Sequence, residues 1–151
     1  VCIVPEKRKE VTTEGGLNIV KNFKLLKKIV KNLKKKKINV TLFIEPKISD
    51  IKLSKILNVN NVELHTGKFC NLFNKKKSTK NEFKRIYNAA RYATKLDLEV
   101  HAGHGLTFSS AKQIAKIKTI TEFNIGHFII SESIFLGLEK TIKKFKRVIN
   151  K

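Results

Sequence analysis

Short apolar runs alternate along the chain with longer runs in which apolar residues recur at three- and four-residue steps. The first pattern is typical of buried β-strands and the second of amphipathic helices. Together they predict strands at residues 1–4, 39–44, 62–65, 98–102 and 120–125. They also predict helices at residues 18–35, 51–57, 81–95, 110–116 and 128–149, the second of them capped by Ser49 with Asp50 in its first turn.

The order of these elements, strand then helix five times in succession, indicates the fold class. Strands that alternate with crossover helices form a parallel sheet, so the sequence predicts an α/β protein. A doubly wound sheet and a (β/α)8 barrel both fit this order. A complete barrel needs about 250 residues, so this chain would supply about five of its βα units. No repeat or low-complexity linker divides the chain, and we expect a single domain over residues 1–151.

The net charge changes this picture only in part. The chain has 33 Lys+Arg against 12 Asp+Glu, a formal charge of +21, which favours attraction to nucleic acid or another polyanion. The basic residues are 29 Lys and only 4 Arg. This bias is expected from A/T-rich codons, whereas nucleic-acid surfaces generally use Arg as well. We therefore interpret the charge as compositional drift and keep a Lys-rich polyanion-binding module as an alternative.

Composition also bounds the class of protein and its compartment. With 41% hydrophobic residues the chain is too apolar for a disordered polybasic tail, and no apolar run approaches the roughly 20 residues of a membrane-spanning helix. Cys2 and Cys70 lie far apart without C-x-x-C spacing, so we expect free thiols and a cytoplasmic protein. The chain contains no Met, at position 1 or elsewhere, and we expect it to be a fragment.

The residues that follow the predicted strands are the candidates for chemistry. In a parallel α/β sheet the ligand binds beyond the carboxyl ends of the strands. All four histidines of the chain lie in or beside these positions: His65, His101, His104 and His127. A histidine at a strand end can also be structural, but four of them so placed favour a functional site.

Two of these strand ends combine glycine with histidine. His104 lies between Gly103 and Gly105, and Gly126 precedes His127. Glycine lets the backbone approach a ligand closely, and the N–H groups at the start of a following helix attract anions. The sequence therefore predicts a phosphate site there. The alternative is a pair of tight turns that need glycine for geometry alone.

His104 and Glu63 form the candidate acid/base pair. A histidine on a glycine-flanked loop can exchange a proton near neutral pH, and a carboxylate on the adjacent strand can stabilise a developing cation. Glu63 and His65 are two residues apart and share a face of their strand. A metal site formed by Glu63, His65, His101 and His104 is the competing interpretation, ranked lower because no ligand spacing supports it. No dinucleotide fingerprint, Walker loop or nucleophile elbow is present.

Five blocks of the sequence, taken together and in this order, resemble the pyridoxine 5′-phosphate synthase family. The resemblance covers residues 1–147 and is more specific than any single block. The blocks are Val4-Pro5-Glu6-Lys7-Arg8 with Thr12-Thr13-Glu14-Gly15-Gly16-Leu17, Val62-Glu63-Leu64-His65-Thr66-Gly67, Ala102-Gly103-His104-Gly105-Leu106 and Glu122-Phe123-Asn124-Ile125-Gly126-His127.

The resemblance implies a fold, a reaction and an assembly. The family is a (β/α)8 barrel, usually a homo-octamer, that condenses 3-amino-2-oxopropyl phosphate with 1-deoxy-D-xylulose 5-phosphate to pyridoxine 5′-phosphate without metal or organic cofactor. By the same resemblance His104 is the proton donor and Glu63 stabilises the transition state. The residues implied in substrate binding are Gly105, Gly126 and His127, for the aminoketone phosphate, and Thr12, in the loop that closes over the deoxyxylulose phosphate.

The sequence departs from the family pattern in two respects. The first three βα units of the family, which carry a further His and Glu that act as bases, have no counterpart here, and His101 stands where the family usually has Asn. The function we expect is therefore that of the carboxyl-terminal part of the synthase barrel. An inactive remnant that retains phosphate binding is the alternative.

Overall fold

The architecture is a parallel β-sheet whose successive strands are connected by helices. It is described by a computed structural model for residues 1–5 and 15–150. Within these residues the strands are β1 (Cys2–Ile3), β2 (Thr41–Ile44), β3 (Asn61–His65), β4 (Glu99–Gly103) and β5 (Glu122–Asn124). Every neighbouring pair is parallel, which confirms the five predicted strands and the α/β class.

The order of the strands in the sheet distinguishes between the two predicted architectures. The strands lie in the order β1-β2-β3-β4-β5, so each is beside the one that precedes it in the chain. A doubly wound sheet reverses its strand order at one point, whereas a barrel adds each strand beside the last. The fold is therefore a partial (β/α)8 barrel with five strands among the described residues.

Seven helices connect and follow these strands in the described part of the chain. They are α1 (Ile19–Lys35), α2 (Ile48–Ile56), α3 (Gly67–Asn74), α4 (Lys80–Lys95), α5 (Phe108–Ile114), α6 (His127–Leu136) and α7 (Leu138–Ile149). The predicted helices over residues 18–35 and 81–95 are confirmed to within a residue. Across residues 1–5 and 15–150, no helix has the length and apolar character needed to cross a membrane.

Three predicted helices have wrong boundaries. The helix predicted over residues 110–116 is α5 (Phe108–Ile114), which begins earlier because Thr107 and Ser110 form a capping box at its start.

The second helix begins at Ile48 with Lys47 as its N-cap, so Ser49 lies inside the first turn, where its hydroxyl donates to the Asp50 carboxylate. The helix starts earlier than predicted because the chain turns directly out of β2, where the Lys47 N–H donates to the carbonyl of Glu45 at 2.7 Å. Asp50 lies in the first turn, as predicted.

The closing helix predicted over residues 128–149 is two helices, separated at Gly137. This residue adopts φ +81°, a left-handed conformation that ends α6 and that favours glycine. Helix α3 was not predicted. It follows β3 after a single residue and buries Phe69 and Cys70, so Cys70 is a packed core residue.

The two faces of the sheet differ in chemistry. On β3, Val62 and Leu64 are fully buried in the apolar core that the strands share with the helices. Glu63 lies between them and so points to the opposite face. In the register of the sheet it is beside Phe43 of β2 and His101 of β4. This alternation places polar side chains on the face that would be the interior of a barrel.

Candidate active site

Five of the six predicted site residues are described by the structure. Four of them follow the carboxyl ends of strands: His104, Gly105, Gly126 and His127. Glu63 lies in the middle of β3, and its carboxylate reaches Gly103 at the carboxyl end of β4. The sixth, Thr12, lies outside the described residues. Because parallel strands end at the same edge of the sheet, the topology brings residues from β3, β4 and β5 to one edge although up to 64 positions separate them in the sequence.

Glu63 is a buried carboxylate held by two hydrogen-bond donors. Its side-chain oxygen accepts from Asn124 Nδ2 at 2.8 Å and from the Cys2 thiol at 3.4 Å. Burial raises the pKa of Glu63, while the two hydrogen bonds and the nearby His101 act to lower it. The carboxylate is therefore fixed in position, as a transition-state stabiliser must be.

Two small residues, Gly103 and Cys2, lie beside the Glu63 carboxylate. A Cβ on Gly103 would overlap the Glu63 Oε1 atom, so only glycine leaves room for the carboxylate. Burial, reinforced by the Glu63 charge, raises the pKa of the Cys2 thiol to about 12. Cys2 therefore stays protonated at neutral pH and acts as a donor to Glu63.

His104 is fixed mainly by its backbone. It adopts φ +79°, which is unusual for a residue with a side chain, and Gly105 follows at φ +75°. The buried hydroxyl of Thr66 lies 2.8 Å from the Gly103 carbonyl and 2.7 Å from the His104 carbonyl, and so binds the turn to the end of β3. The imidazole is half-buried, which keeps it accessible for proton exchange.

Glu45 is a site residue that the sequence analysis missed. It follows β2 directly, and its Oε1 accepts from His65 Nδ1 at 2.9 Å. Arg85 of α4 donates to the Oε2 atom of Glu45 at 3.2 Å, and the Gly16 N–H donates to Oε1 at 3.4 Å. The hydrogen bond from His65 is the main cause that lowers the pKa of Glu45 to about 2. The available signal was its position after a strand, the same signal that identified His104.

The residues between β2 and β4 line an open cleft. It has a volume of about 690 Å³ and is lined in part by Glu45, His65, Gly67, Lys68, His104 and Gly105. The His65 and His104 rings lie side by side there, with centroids 4.9 Å apart. The cleft therefore presents two imidazoles and an ionised carboxylate to one space.

Three of the four residues in the alternative metal site are bound to other side chains. Glu63 is bound to Asn124 and His65 to Glu45, while His101 Nδ1 lies 3.2 Å from the Glu122 carboxylate. Over residues 1–5 and 15–150, no three His, Cys, Asp or Glu side chains come together in a way that could hold a metal ion.

Gly126 and His127 form an exposed turn at the start of α6. Gly126 is the N-cap and provides no side chain to the first turn, whose N–H groups have no partner within the helix. A Cβ on Gly126 would meet no atom within 4 Å, and its φ is −107°, so neither crowding nor geometry requires glycine there. At Gly105 both do: φ is +75° and a Cβ would lie 3.1 Å from Cys70. The alternative of a purely geometric role thus fits Gly105 and not Gly126.

Comparison with known proteins relates this arrangement to one family. Residues 1–151 match the family described as "Pyridoxal phosphate biosynthesis protein PdxJ". The pyridoxine 5′-phosphate synthase of Pelagibacter ubique (strain HTCC1062) is 56% identical over 151 residues, which is 100% of this chain and 63% of that protein. The protein of the same name from Ehrlichia canis (strain Jake) is 50% identical over 149 residues, 99% of this chain and 60% of that protein.

Two facts determine how much can be inferred from these similarities. The chain spans about 60% of the length of the curated relatives named above. Among solved structures, the YdjI aldolase from Escherichia coli K12 matches with a TM-score of 0.52 at 16% identity, covering 89% of this chain and 54% of that one. At that level of identity the structural likeness bears on the fold alone, where it agrees with a partial barrel.

Proposed function

This chain belongs to the family of the pyridoxal phosphate biosynthesis protein PdxJ, and on that premise we propose that it is the carboxyl-terminal, single-domain portion of a pyridoxine 5′-phosphate synthase barrel. The complete enzyme would condense 3-amino-2-oxopropyl phosphate with 1-deoxy-D-xylulose 5-phosphate by general acid/base catalysis. The observation that carries this proposal is the convergence of His104 and the buried Glu63 on one edge of the sheet, within a chain that matches the family from residue 1 to residue 151.

His104 is the proton donor in this proposal. Its half-buried ring lies at the edge of the 690 Å³ cleft, where it can reach both substrate and solvent. The backbone of the turn, bound by Thr66, fixes the point from which the ring projects. A group so fixed transfers a proton without a search for the reactive geometry.

Glu63 stabilises the positive charge that develops during the condensation. The donors Asn124 and Cys2 hold its carboxylate at a defined position. Burial strengthens the interaction of that carboxylate with a cation, because the surrounding protein screens charge less than water does. The same burial raises the pKa of Glu63, and the two donors offset part of that effect.

The phosphate of 3-amino-2-oxopropyl phosphate binds at Gly105, Gly126 and His127. The open side of Gly126 and the unpaired N–H groups of the first turn of α6 support this assignment, because such groups bind anions without a charged side chain. Thr12 contacts the 1-deoxy-D-xylulose 5-phosphate, an assignment that rests on the family resemblance alone.

The assembly and compartment follow from the same resemblance. We expect a homo-octamer in the cytoplasm that needs no metal or organic cofactor. The free state of Cys2 and Cys70 supports a reducing compartment. Sedimentation of the protein as its source makes it would measure the number of subunits.

The experiment that tests the function is the synthesis of pyridoxine 5′-phosphate from the two substrates by the protein as its source makes it. Its intact mass is measured first, and we expect a value well above the 17.3 kDa of this chain, together with synthesis. A protein that binds phosphate but makes no product would support the inactive remnant. RNA binding that salt weakens steeply, and that ignores His104, would support the polyanion-binding module.

A further inference from the structure

A second imidazole, His65, lies beside His104 and is held by a carboxylate that has no role in the function proposed above. Glu45 Oε1 accepts from His65 Nδ1 at 2.9 Å. Glu45 is itself held by Arg85 at 3.2 Å, and Arg85 is fixed in turn by Glu82 at 2.8 Å. Each member of this chain of contacts is positioned by the next, from β3 out to α4.

The contacts of Glu45 determine which nitrogen of His65 carries the proton. The pKa of Glu45 is lowered to about 2, so the carboxylate is ionised at neutral pH and can only accept. His65 Nδ1 must therefore be the protonated nitrogen. In the neutral ring this leaves a lone pair on Nε2, which is directed away from Glu45.

His65 Nε2 is fully buried and has no hydrogen-bond partner. An unprotonated Nε2 is the less costly state there, because an N–H at this position would be a buried donor without an acceptor. The atom lies against Gly67: a Cβ on Gly67 would come within 2.8 Å of both His65 Nε2 and His104 Cδ2. Gly67 thus lets the two imidazoles close on one point.

Aromatic contacts complete the packing of the two rings. The His65 ring meets the edge of Phe43 at 5.2 Å and 81°, and it lies 4.9 Å from the His104 ring at 47°. The His65 side chain is 9% exposed, so its ring has little freedom to rotate. A rotation of His65 would break its bond to Glu45 and would remove the surface against which the His104 ring rests.

We propose that Glu45 and His65 form a positioning pair for His104: Glu45 fixes the tautomer and orientation of His65, and the His65 ring holds the His104 imidazole in place for proton donation. The second half of this inference rests on the proposed function of His104. The first half does not, because it concerns contacts within this chain.

Nuclear magnetic resonance of the chain labelled with ¹⁵N in its histidines tests the pair without an activity assay. In the neutral His65 ring we expect the proton on Nδ1 and none on Nε2, with cross-relaxation between the His65 and His104 ring protons. In Glu45→Gln the ring-to-ring signal should fall at least about twofold as His65 loses its fixed orientation. Glu139→Gln on the exposed face of α7 is the matched control, since it removes a carboxylate that pairs with Lys143 and lies outside this chain of contacts.

Three results would overturn the proposed pairing of Glu45 and His65. A proton on Nε2 of the neutral His65 ring in the wild-type chain contradicts the pair, and so does a Glu139→Gln variant that changes the ring signals as much as Glu45→Gln. If Glu45→Gln does not fold, Gly67→Ala takes its place, because its Cβ would press on both rings. An unchanged ring-to-ring signal in folded Gly67→Ala also overturns the inference.

Kinetics then separate the pair from the proposed function. In a protein that makes pyridoxine 5′-phosphate, Glu45→Gln should lower kcat at least about tenfold and change KM less than about twofold, because a positioning residue affects the chemical step more than binding. An unchanged kcat would contradict the positioning role. A wild-type protein without activity would contradict the proposed function and leave the magnetic resonance test of Glu45 and His65 decisive.

Discussion

Two regions at the carboxyl edge of the sheet are built in opposite ways. The histidine cluster, which consists of Glu45, His65 and His104, is made of side chains held by hydrogen bonds and ring contacts. The glycine–histidine turn, which consists of Gly126 and His127, is exposed and precedes a helix with no buried residue. If the proposed function holds, groups for proton transfer are positioned by dense packing, whereas the anion site is formed by open backbone.

The difference is consistent with what each kind of site requires. Proton transfer depends on the orientation of a ring to within a fraction of an ångström, so its neighbours must be fixed. Backbone N–H groups at a helix start are oriented by the helix itself and need no side-chain support. Substitutions in the two regions should therefore differ in kind as well as in size.

The largest effect is expected at Glu63, which lies outside the histidine cluster but is buried and, like it, held by hydrogen bonds. Under the proposed function, Glu63→Gln should lower kcat at least about 100-fold, because it removes the charge proposed to stabilise the transition state. Stability at neutral pH should not fall, since burial raises the pKa of Glu63 and the ionised form opposes folding there. Steady-state kinetics and urea unfolding check the two halves. A less active and clearly less stable variant would show that the carboxylate is structural.

The two regions differ next in their tolerance of one methyl group. Gly103→Ala should destabilise the protein by about 1–3 kcal/mol, because its Cβ would overlap the Glu63 carboxylate. Gly126→Ala, whose Cβ would meet no atom within 4 Å, should cost less than about 0.5 kcal/mol. Urea denaturation of both variants measures the difference. Equal losses of stability in the two variants would show that Gly103 is no more tightly packed than Gly126.

An effect on binding is expected at the exposed turn. Under the proposed function, His127→Ala should raise the KM for 3-amino-2-oxopropyl phosphate about tenfold and leave kcat within about threefold, because it removes a proposed phosphate contact that substrate and transition state would share. Lys143→Ala on the exposed face of α7 is the control and should leave both constants unchanged. A fall in kcat alone would assign His127 to the chemical step.

The smallest expected effect is the acid sensitivity of the histidine cluster. Glu45 has a folded pKa of about 2 against an ordinary value of 4.5, so its stabilising contribution is complete above about pH 4.5 and is lost as pH falls toward 2. The side chain is 27% exposed, and we expect a contribution of about 1–2 kcal/mol. Unfolding measured between pH 5 and pH 2 should be less steep in pH for Glu45→Gln, and Glu139→Gln on the surface serves as the control.

Much of the fold could be predicted because its signals are local. Helices α1 and α4 show their helical period within 17 and 16 consecutive residues. Strands β2 to β4 are each marked by a short apolar run. Gly137 was misjudged because a glycine inside an apolar helical pattern is compatible with continuation, and only its φ of +81° shows the break. Helix α3 was missed because it has only eight residues and begins one residue after β3 ends, so its helical period is too short to stand out from the strand before it.

The residues of the candidate site could be proposed from the sequence more readily than the contacts between them. His104 was chosen by its place after a strand, and Glu63 was chosen as a carboxylate on the adjacent strand. The bond between Glu45 and His65 joins residues 20 positions apart, and that of Asn124 to Glu63 joins residues 61 apart. Such pairs depend on strand register and on rotamers, which periodicity does not encode.

The most direct test of the central claim is the rate of pyridoxine 5′-phosphate synthesis by His104→Ala, measured beside His101→Asn in the protein as its source makes it. We predict a fall in kcat of at least about 100-fold for His104→Ala, with stability within about 0.5 kcal/mol of wild type, since the ring is half-buried and the turn is held by backbone contacts. His101→Asn should retain most of the activity. A His104→Ala variant that synthesises the product at the wild-type rate would contradict the account.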